Sequence, residues 1–119
     1  MARHIDGFVL PIQKKKLPAY RRMSKAAGKV WREHGAIEYI ECIGEDMPTK
    51  IGVPFPKLAK AKAGETVVFS WIVYKSRSHR DKVIAKVMAD SRIAKSMQGP
   101  MPFDVKRMSM GGFRSIVEM

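Results

Sequence analysis

An α+β fold, with one antiparallel sheet of four main strands and helices on one side of it, is what three features of the sequence predict. The run Glu65–Tyr74 (ETVVFSWIVY) is apolar on both alternating faces, Val67, Phe69, Trp71 and Val73 on one and Val68, Ile72 and Tyr74 on the other, broken only by Ser70. A half-buried strand alternates apolar with polar, so this one needs a cover on each side. The second feature is length: 119 residues make one domain, residues 1–119, with a genuine core but too little chain to supply both covers easily. That shortage points to a second copy of the chain. The third is the element order, strand–helix–strand twice over.

The elements follow in sequence. His4–Ile12 (HIDGFVLPI) reads as a strand with Pro11 near its end, where a missing ladder donor is tolerated. After Lys14–Lys16 a helix begins, with Pro18 in its first turn, and runs to about His34 before Gly35. At helical spacing Tyr20, Met23, Ala27, Val30, Trp31 and His34 share one side, and Arg21, Arg22, Lys25, Lys29 and Arg32 the other. Ala36–Gly44 is the second strand, with Ile37, Tyr39, Glu41 and Ile43 on one face. A loop with three prolines covers 45–56, and Lys57–Lys62 (KLAKAK) reads as an extended, lysine-decorated arm.

The third strand is ETVVFSWIVY itself. Ser78 and Asp81 then suggest a capping box for a helix burying Val83, Ile84, Val87 and Met88. Asp90-Ser91 restarts a short helical turn holding Ile93, and Gly99-Pro100 ends it. Arg107–Val117 is the last strand. Two βαβ halves of similar length give a ferredoxin-like βαββαβ arrangement, in which right-handed crossovers put the first and third strands side by side at the centre. The helices then cover one sheet face. The other stays bare and apolar, and a two-fold homodimer with sheets packed face to face, a dimeric α/β barrel, would close it.

Composition narrows the function classes. Forty-five per cent hydrophobic and 29% charged residues exclude a wholly disordered chain. The single cysteine, Cys42, excludes an intramolecular disulfide framework and fits a reducing compartment. The opening Met-Ala-Arg-His-Ile-Asp lacks the apolar region of a signal peptide, and no apolar run approaches the ~20 residues of a membrane span, so a cytoplasmic location without membrane contact is the expectation. Charge is unusual, with 23 Lys+Arg against 11 Asp+Glu for a formal net charge of +12. Such a surface attracts polyanions, nucleic acid foremost, by counterion release.

The blocks IDGFV (Ile5–Val9), VVFSWIVY (Val67–Tyr74), HRD with a later MAD (His79–Asp81, Met88–Asp90) and MPFDVKRMSMGGFRSIVE (Met101–Glu118) together resemble the YbaA-like proteins, an uncharacterised bacterial family. The resemblance spans nearly the whole chain and implies the dimeric α/β-barrel superfamily. It implies no activity. Val105 stands where the family pattern has a glycine, and the basicity also departs from that pattern. Members of the wider superfamily use the cavity beside the sheet for oxygenation, isomerisation or dehydration, or simply dimerise; a cofactor-free oxygenase or isomerase is the enzyme version of that implication, by fold analogy.

Site residues are sparse. His4, His34 and His79 show no metal-ligand spacing, Cys42 has no neighbouring partner, and neither a nucleophile elbow nor a phosphate loop is present, so neither metal nor cofactor is expected. Asp6 and Glu41, as strand carboxylates in an apolar wall, are candidate general bases, with His34 on the inner side of the first helix. The bland alternative leaves Glu41 at an exposed edge, pairs Asp6 with a cation such as Arg107, and bonds His34 to a backbone carbonyl. Tyr39, Trp71, Tyr74, Met108 and Met110 are candidate walls of a small-molecule pocket. The stripe Arg21, Arg22, Lys25, Lys29 and Arg32 is the candidate polyanion surface; it lacks interleaved aromatics, and no RNA-recognition sheet motif accompanies it. Gly111-Gly112 inside a strand pattern marks a bulge or a close approach.

Overall fold

In the computed structural model, which describes residues 2–119, four strands form one antiparallel sheet. They are β1 (His4–Gln13), β2 (Glu38–Ile43), β3 (Glu65–Tyr74) and β4 (Ser109–Arg114), in the spatial order β2-β3-β1-β4. The helices are α1 (Leu17–Glu33), a short α2 (Phe55–Leu58), α3 (Arg77–Met88) and α4 (Ser91–Ser96). This is the ferredoxin-like order, with the first and third strands central.

The ribbon β1–β3 is the spine. It pairs ten residues with ten, from His4 opposite Tyr74 to Gln13 opposite Glu65. Because side chains alternate, this register puts His4, Asp6, Phe8, Leu10 and Ile12 on one face with Thr66, Val68, Ser70, Ile72 and Tyr74. The helices α1, α3 and α4 cover that face. Its buried side chains form two clusters rather than one: Val30, Ala36, Ile72, Tyr74, Val83, Val87 and Ile93 at one end, and Leu10, Ile12, Tyr20 and Val68 at the other.

On the opposite face Val67 and Val73 are buried within the monomer, whereas Phe69 between them is 46% exposed. Phe55 of α2 stacks on Phe69 with ring centroids 6.0 Å apart. The second face is therefore not wholly bare: its centre and its β4 side, where Phe113 is 62% exposed, are the open part.

Several local expectations need correction. The stretch read as an extended lysine arm begins as the helical turn α2, since Pro54 precedes that turn in extended conformation and Pro56 suits its first positions. The chain then reverses at Lys60 (φ +55°). The cap of α3 is Ser76, two residues before Ser78; its hydroxyl accepts from the His79 N–H at 3.2 Å, while Asp81 takes a hydrogen bond from Arg80. Val83 and Val87 are buried as expected, but Met88 is 49% exposed. The last strand stops at Arg114, opposite His4 where β1 begins, and one further backbone bond, from the Ser115 N–H to the Arg3 carbonyl at 3.0 Å, closes the pairing. Ile116 and Val117 lie exposed past that point. Asp90 caps α4 through the Arg92 N–H, and Ile93 is buried.

Gly28 has a reason the helical pattern did not supply. A Cβ there would stand 2.7 Å from Tyr39 Cδ1, so the tyrosine ring lies directly on the α1 backbone. Alanine at this position gains roughly 1 kcal/mol of helix propensity but must displace a ring whose hydroxyl is tied down, an overpacking cost of about 1–3 kcal/mol. Gly28→Ala is expected to lower the urea midpoint, and to be neutral or stabilising once Tyr39→Ala has emptied the space.

Candidate functional site

The two core clusters do not meet; a cavity of about 380 Å³ lies between α1, α3 and the helix-side face of the sheet. That volume is within the range of small-molecule sites. Its sheet wall includes Phe8, Leu10, Ile72 and, on β4, Met110, its helix wall Met23, Ala27, Trp31 and Ile84, and the segment before β4 adds Phe103 and Met108. Polar groups enter at two places, one around Glu41 and one around Asp6.

Glu41 is reached from both the helix and its own strand. Alternation along β2 puts Tyr39 and Glu41 on the helix side, opposite Ile72 and Ser70. Tyr20 of α1 donates its hydroxyl to Glu41 Oε1 and Tyr39 donates to Oε2, each at 2.8 Å. Burial, and then the Glu41 charge that each phenol faces, push both tyrosines well above the ordinary phenol value. They stay protonated donors. Glu41 is thus half-buried and clamped, not free at an exposed edge. Each tyrosine is backed by another ring, Phe103 at 5.6 Å from Tyr20 and Trp31 at 6.2 Å from Tyr39.

Asp6 is buried, 3% exposed. One oxygen meets His4 Nε2 at 3.1 Å, and the other accepts from Arg80 Nε at 3.0 Å. Its cation is therefore Arg80 on α3, not Arg107. Arg107 instead grips Glu65 with both terminal nitrogens, at 2.7 and 2.8 Å, which holds the Glu65 carboxyl down at about 2. His4 fits because Gly112 lies beside it, where a Cβ would come within 2.9 Å of the imidazole. The glycine pair in β4 thus marks a close approach, and β4 pairs with β1 in unbroken register. The Trp31 indole donates to the Tyr74 hydroxyl at 3.1 Å, and burial raises the Tyr74 phenol to about 12.

Of the expected site residues, Asp6, Glu41, Tyr39, Tyr74, Met108 and Met110 all border this one cavity. Trp71 borders it as well, although its indole is held on the opposite face. Its strand forms part of the cavity wall, but it pairs with Gly7 and Ile40 on the opposite face, and its ring nitrogen donates to Glu38. His34 is elsewhere, past the end of α1. It bonds the Asp90 carboxylate at 2.9 Å, not a backbone carbonyl, and Arg92 followed by His34 keeps Asp90 well below the usual carboxylate range. Arg21, Arg22, Lys25, Lys29 and Arg32 are all exposed. Arg21, Lys25, Lys29 and Arg32 edge a shallow groove along α1 that has Glu41 at its base.

Residues that the sequence did not single out are Tyr20 as a ligand of Glu41, Arg80 and Phe103. Tyr20 lay on the inner side of the helical pattern, so its burial was legible while its partner was not. Asp6 in mid-strand was a signal that some buried cation must answer it. Among the described residues no group of three or more His, Cys, Asp and Glu is placed to hold a metal, and no helix is long and apolar enough to cross a membrane.

Comparison with known proteins agrees with the sequence resemblance. Residues 3–105 match the family described as protein of unknown function (DUF1428). The chain is 41% identical over 116 residues to the uncharacterized protein YbaA of Escherichia coli K12, covering 98% of each, and equally to that of Shigella flexneri. A dimeric ferredoxin-like protein from an uncultured marine organism superposes with a TM-score of 0.60 at 10% identity over the full length of both chains. A nipsnap family protein of unknown function from Agrobacterium tumefaciens gives 0.58 at 14% identity, over 95% of this chain and 87% of that one. At these identities the structures establish the fold alone.

The clamp has a pH signature. All three tyrosines of the chain have phenols above the ordinary value of 10.0 in the folded state. A raised folded value means stability that is complete below pH ~10 and lost as the pH rises through the folded values. Phenolate absorbance is expected to show no step near pH 10 in the folded protein and to rise with loss of structure above that. In Glu41→Gln the Tyr20 and Tyr39 ionisations should move down while Tyr74 stays.

Proposed function

Because the chain belongs to the DUF1428 family, whose name and relatives carry no activity, we propose its function from geometry. It is a cytoplasmic homodimeric α/β-barrel protein that binds a small molecule in the cavity beside each sheet. The observation that carries this reading is the division of the core into two clusters around a cavity with two convergent polar groups. Close packing normally fills such a space, because voids cost stability. The single cysteine supports a reducing, cytoplasmic setting.

Dimerisation accounts for the other face. Ile40, Phe69 and Phe113 are exposed on it, and Phe55 and Leu58 continue the apolar surface along its rim. A second copy offers the same surface, as a two-fold interface requires, and a solved fold neighbour is described as dimeric. The cavity lies on the opposite side of the sheet from this interface, so dimerisation leaves it open to a ligand.

A second reading, RNA or polyanion binding through Arg21, Arg22, Lys25, Lys29 and Arg32, is favoured by their joint exposure on one helix face. Without stacking aromatics such binding is counterion release alone, and its distinguishing mark would be survival at physiological salt.

Two outcomes test the main reading. In a broad thermal-shift screen, small apolar and aromatic compounds are expected to raise the melting temperature of the parent chain but not of Ala27→Phe, in which the cavity is filled. No hit in the parent, with the variant folded and equally stable, would reject the ligand site. By sedimentation at micromolar concentration the parent is expected to be a dimer and Phe69→Glu a folded monomer; a monomeric parent would reject the barrel.

A further inference from the structure

This inference rests on the cavity being a ligand site and goes on to name the ligand's chemistry. We propose that the cavity takes an organic cation, an ammonium group on an apolar body, with its nitrogen on the Glu41 carboxylate between the rings of Tyr20 and Tyr39.

The argument is a balance of charges along the wall. Asp6 is answered by Arg80 and His4, and Arg80 by Asp6 and Asp81. Glu41 is answered only by two neutral phenols, and no ion pair among the described residues includes it. The acidic and basic side chains of the lining are Asp6, Glu41 and Arg80, a formal excess of one carboxylate inside a chain of formal net charge +12. Two acceptor positions of the carboxylate are occupied by the phenols. A carboxylate has about four, so capacity for a further donor remains.

The surroundings suit a cation better than a neutral donor. Tyr20 with Phe103, and Tyr39 with Trp31, place paired rings beside Glu41, and aromatic faces attract ammonium groups. The remaining walls at Met23, Met108 and Ile72 are apolar, and thioethers adapt to a variable organic body. An anionic ligand would have to use Arg80, whose guanidinium already serves two carboxylates. The cationic side chains Arg21, Lys25, Lys29 and Arg32 are exposed along the outer groove of α1, which reaches Glu41 from outside; none of them forms an ion pair with it.

The test is calorimetric titration of the full-length protein with three probes of one body and different heads: phenylbutylamine, phenylbutanol and phenylbutyrate. The amine is expected to bind at least ~10-fold more tightly than the alcohol, as a charge-assisted hydrogen bond implies, and the carboxylate more weakly than either. Glu41→Gln should erase the difference between amine and alcohol. If amine and alcohol bind alike and Glu41→Gln changes neither, the cation assignment is overturned while the cavity as a ligand site stands. If none of the three binds, the assignment falls, and the thermal-shift screen decides separately whether any ligand enters. A second readout does not depend on the variant folding: in the parent protein the methylene next to the amine nitrogen should show Overhauser contacts to the Tyr20 and Tyr39 rings. Contacts at the Arg80 end instead would overturn the proposal.

Discussion

The ten-residue register between β1 and β3 is the constraint from which the rest of the molecule follows. It is long enough to carry two consequences at once. On one face it aligns Leu10 with Val68 and Asp6 with Ile72, so that core and buried charge share a surface. On the other it aligns Val9 with Phe69 and Gly7 with Trp71, so that a second apolar surface is unavoidable. A slip of one residue would exchange these faces and strand Asp6 away from Arg80. The buried Asp6–Arg80 pair therefore selects this register as well as joining α3 to the central strand.

Much of this was legible in the sequence, and what was missed has a common cause. Strand alternation and helical periodicity report which side of its own element a residue faces. That is why the central pairing, the inner side of α1 with Tyr20 and Val30, and the second apolar face of β3 with Phe69 could be read directly. Periodicity says nothing of which residue on another element is met. Hence helical spacing places Tyr20 in the core without naming Glu41, Asp6 in mid-strand calls for a cation without naming Arg80, and His34 falls on the inner side of α1 although Asp90 holds it past the far end. Trp71 is a mixed case, bordering the cavity while its ring nitrogen bonds Glu38 on the other face. Its face follows from alternation, but a large aromatic on a two-sided strand suits either a pocket or an interface, and only pairing with Ile40 and Gly7 decides.

Local signals erred where two residues of similar chemistry competed. Ser76 and Ser78 are both good caps, and the helix took the earlier one because Ser76 has the extended backbone a cap requires (φ −163°, ψ 173°). The lysine-rich stretch Lys57–Lys62 reads as an extended arm, yet Pro54 and Pro56 start a helical turn whose Phe55 then rests on Phe69.

The cavity can be understood from the same spine. A helix layer lying flat on the sheet would close the gap between the two core clusters. At Gly28 α1 does come close, near enough for its backbone to touch the Tyr39 ring. That ring and Tyr20 both end on Glu41, and the Tyr20 bond to Glu41 is the polar link that crosses from α1 to the edge strand β2, beside the packing of Tyr39 on Gly28 and Trp31. Such a contact fixes a spacing, since each hydrogen bond tolerates only a few tenths of an ångström. Replacing it by apolar groups of the same shape would be nearly neutral for stability, or favourable. The fold alone therefore does not require a carboxylate at Glu41, and what distinguishes the residue is the acceptor capacity it presents to the cavity.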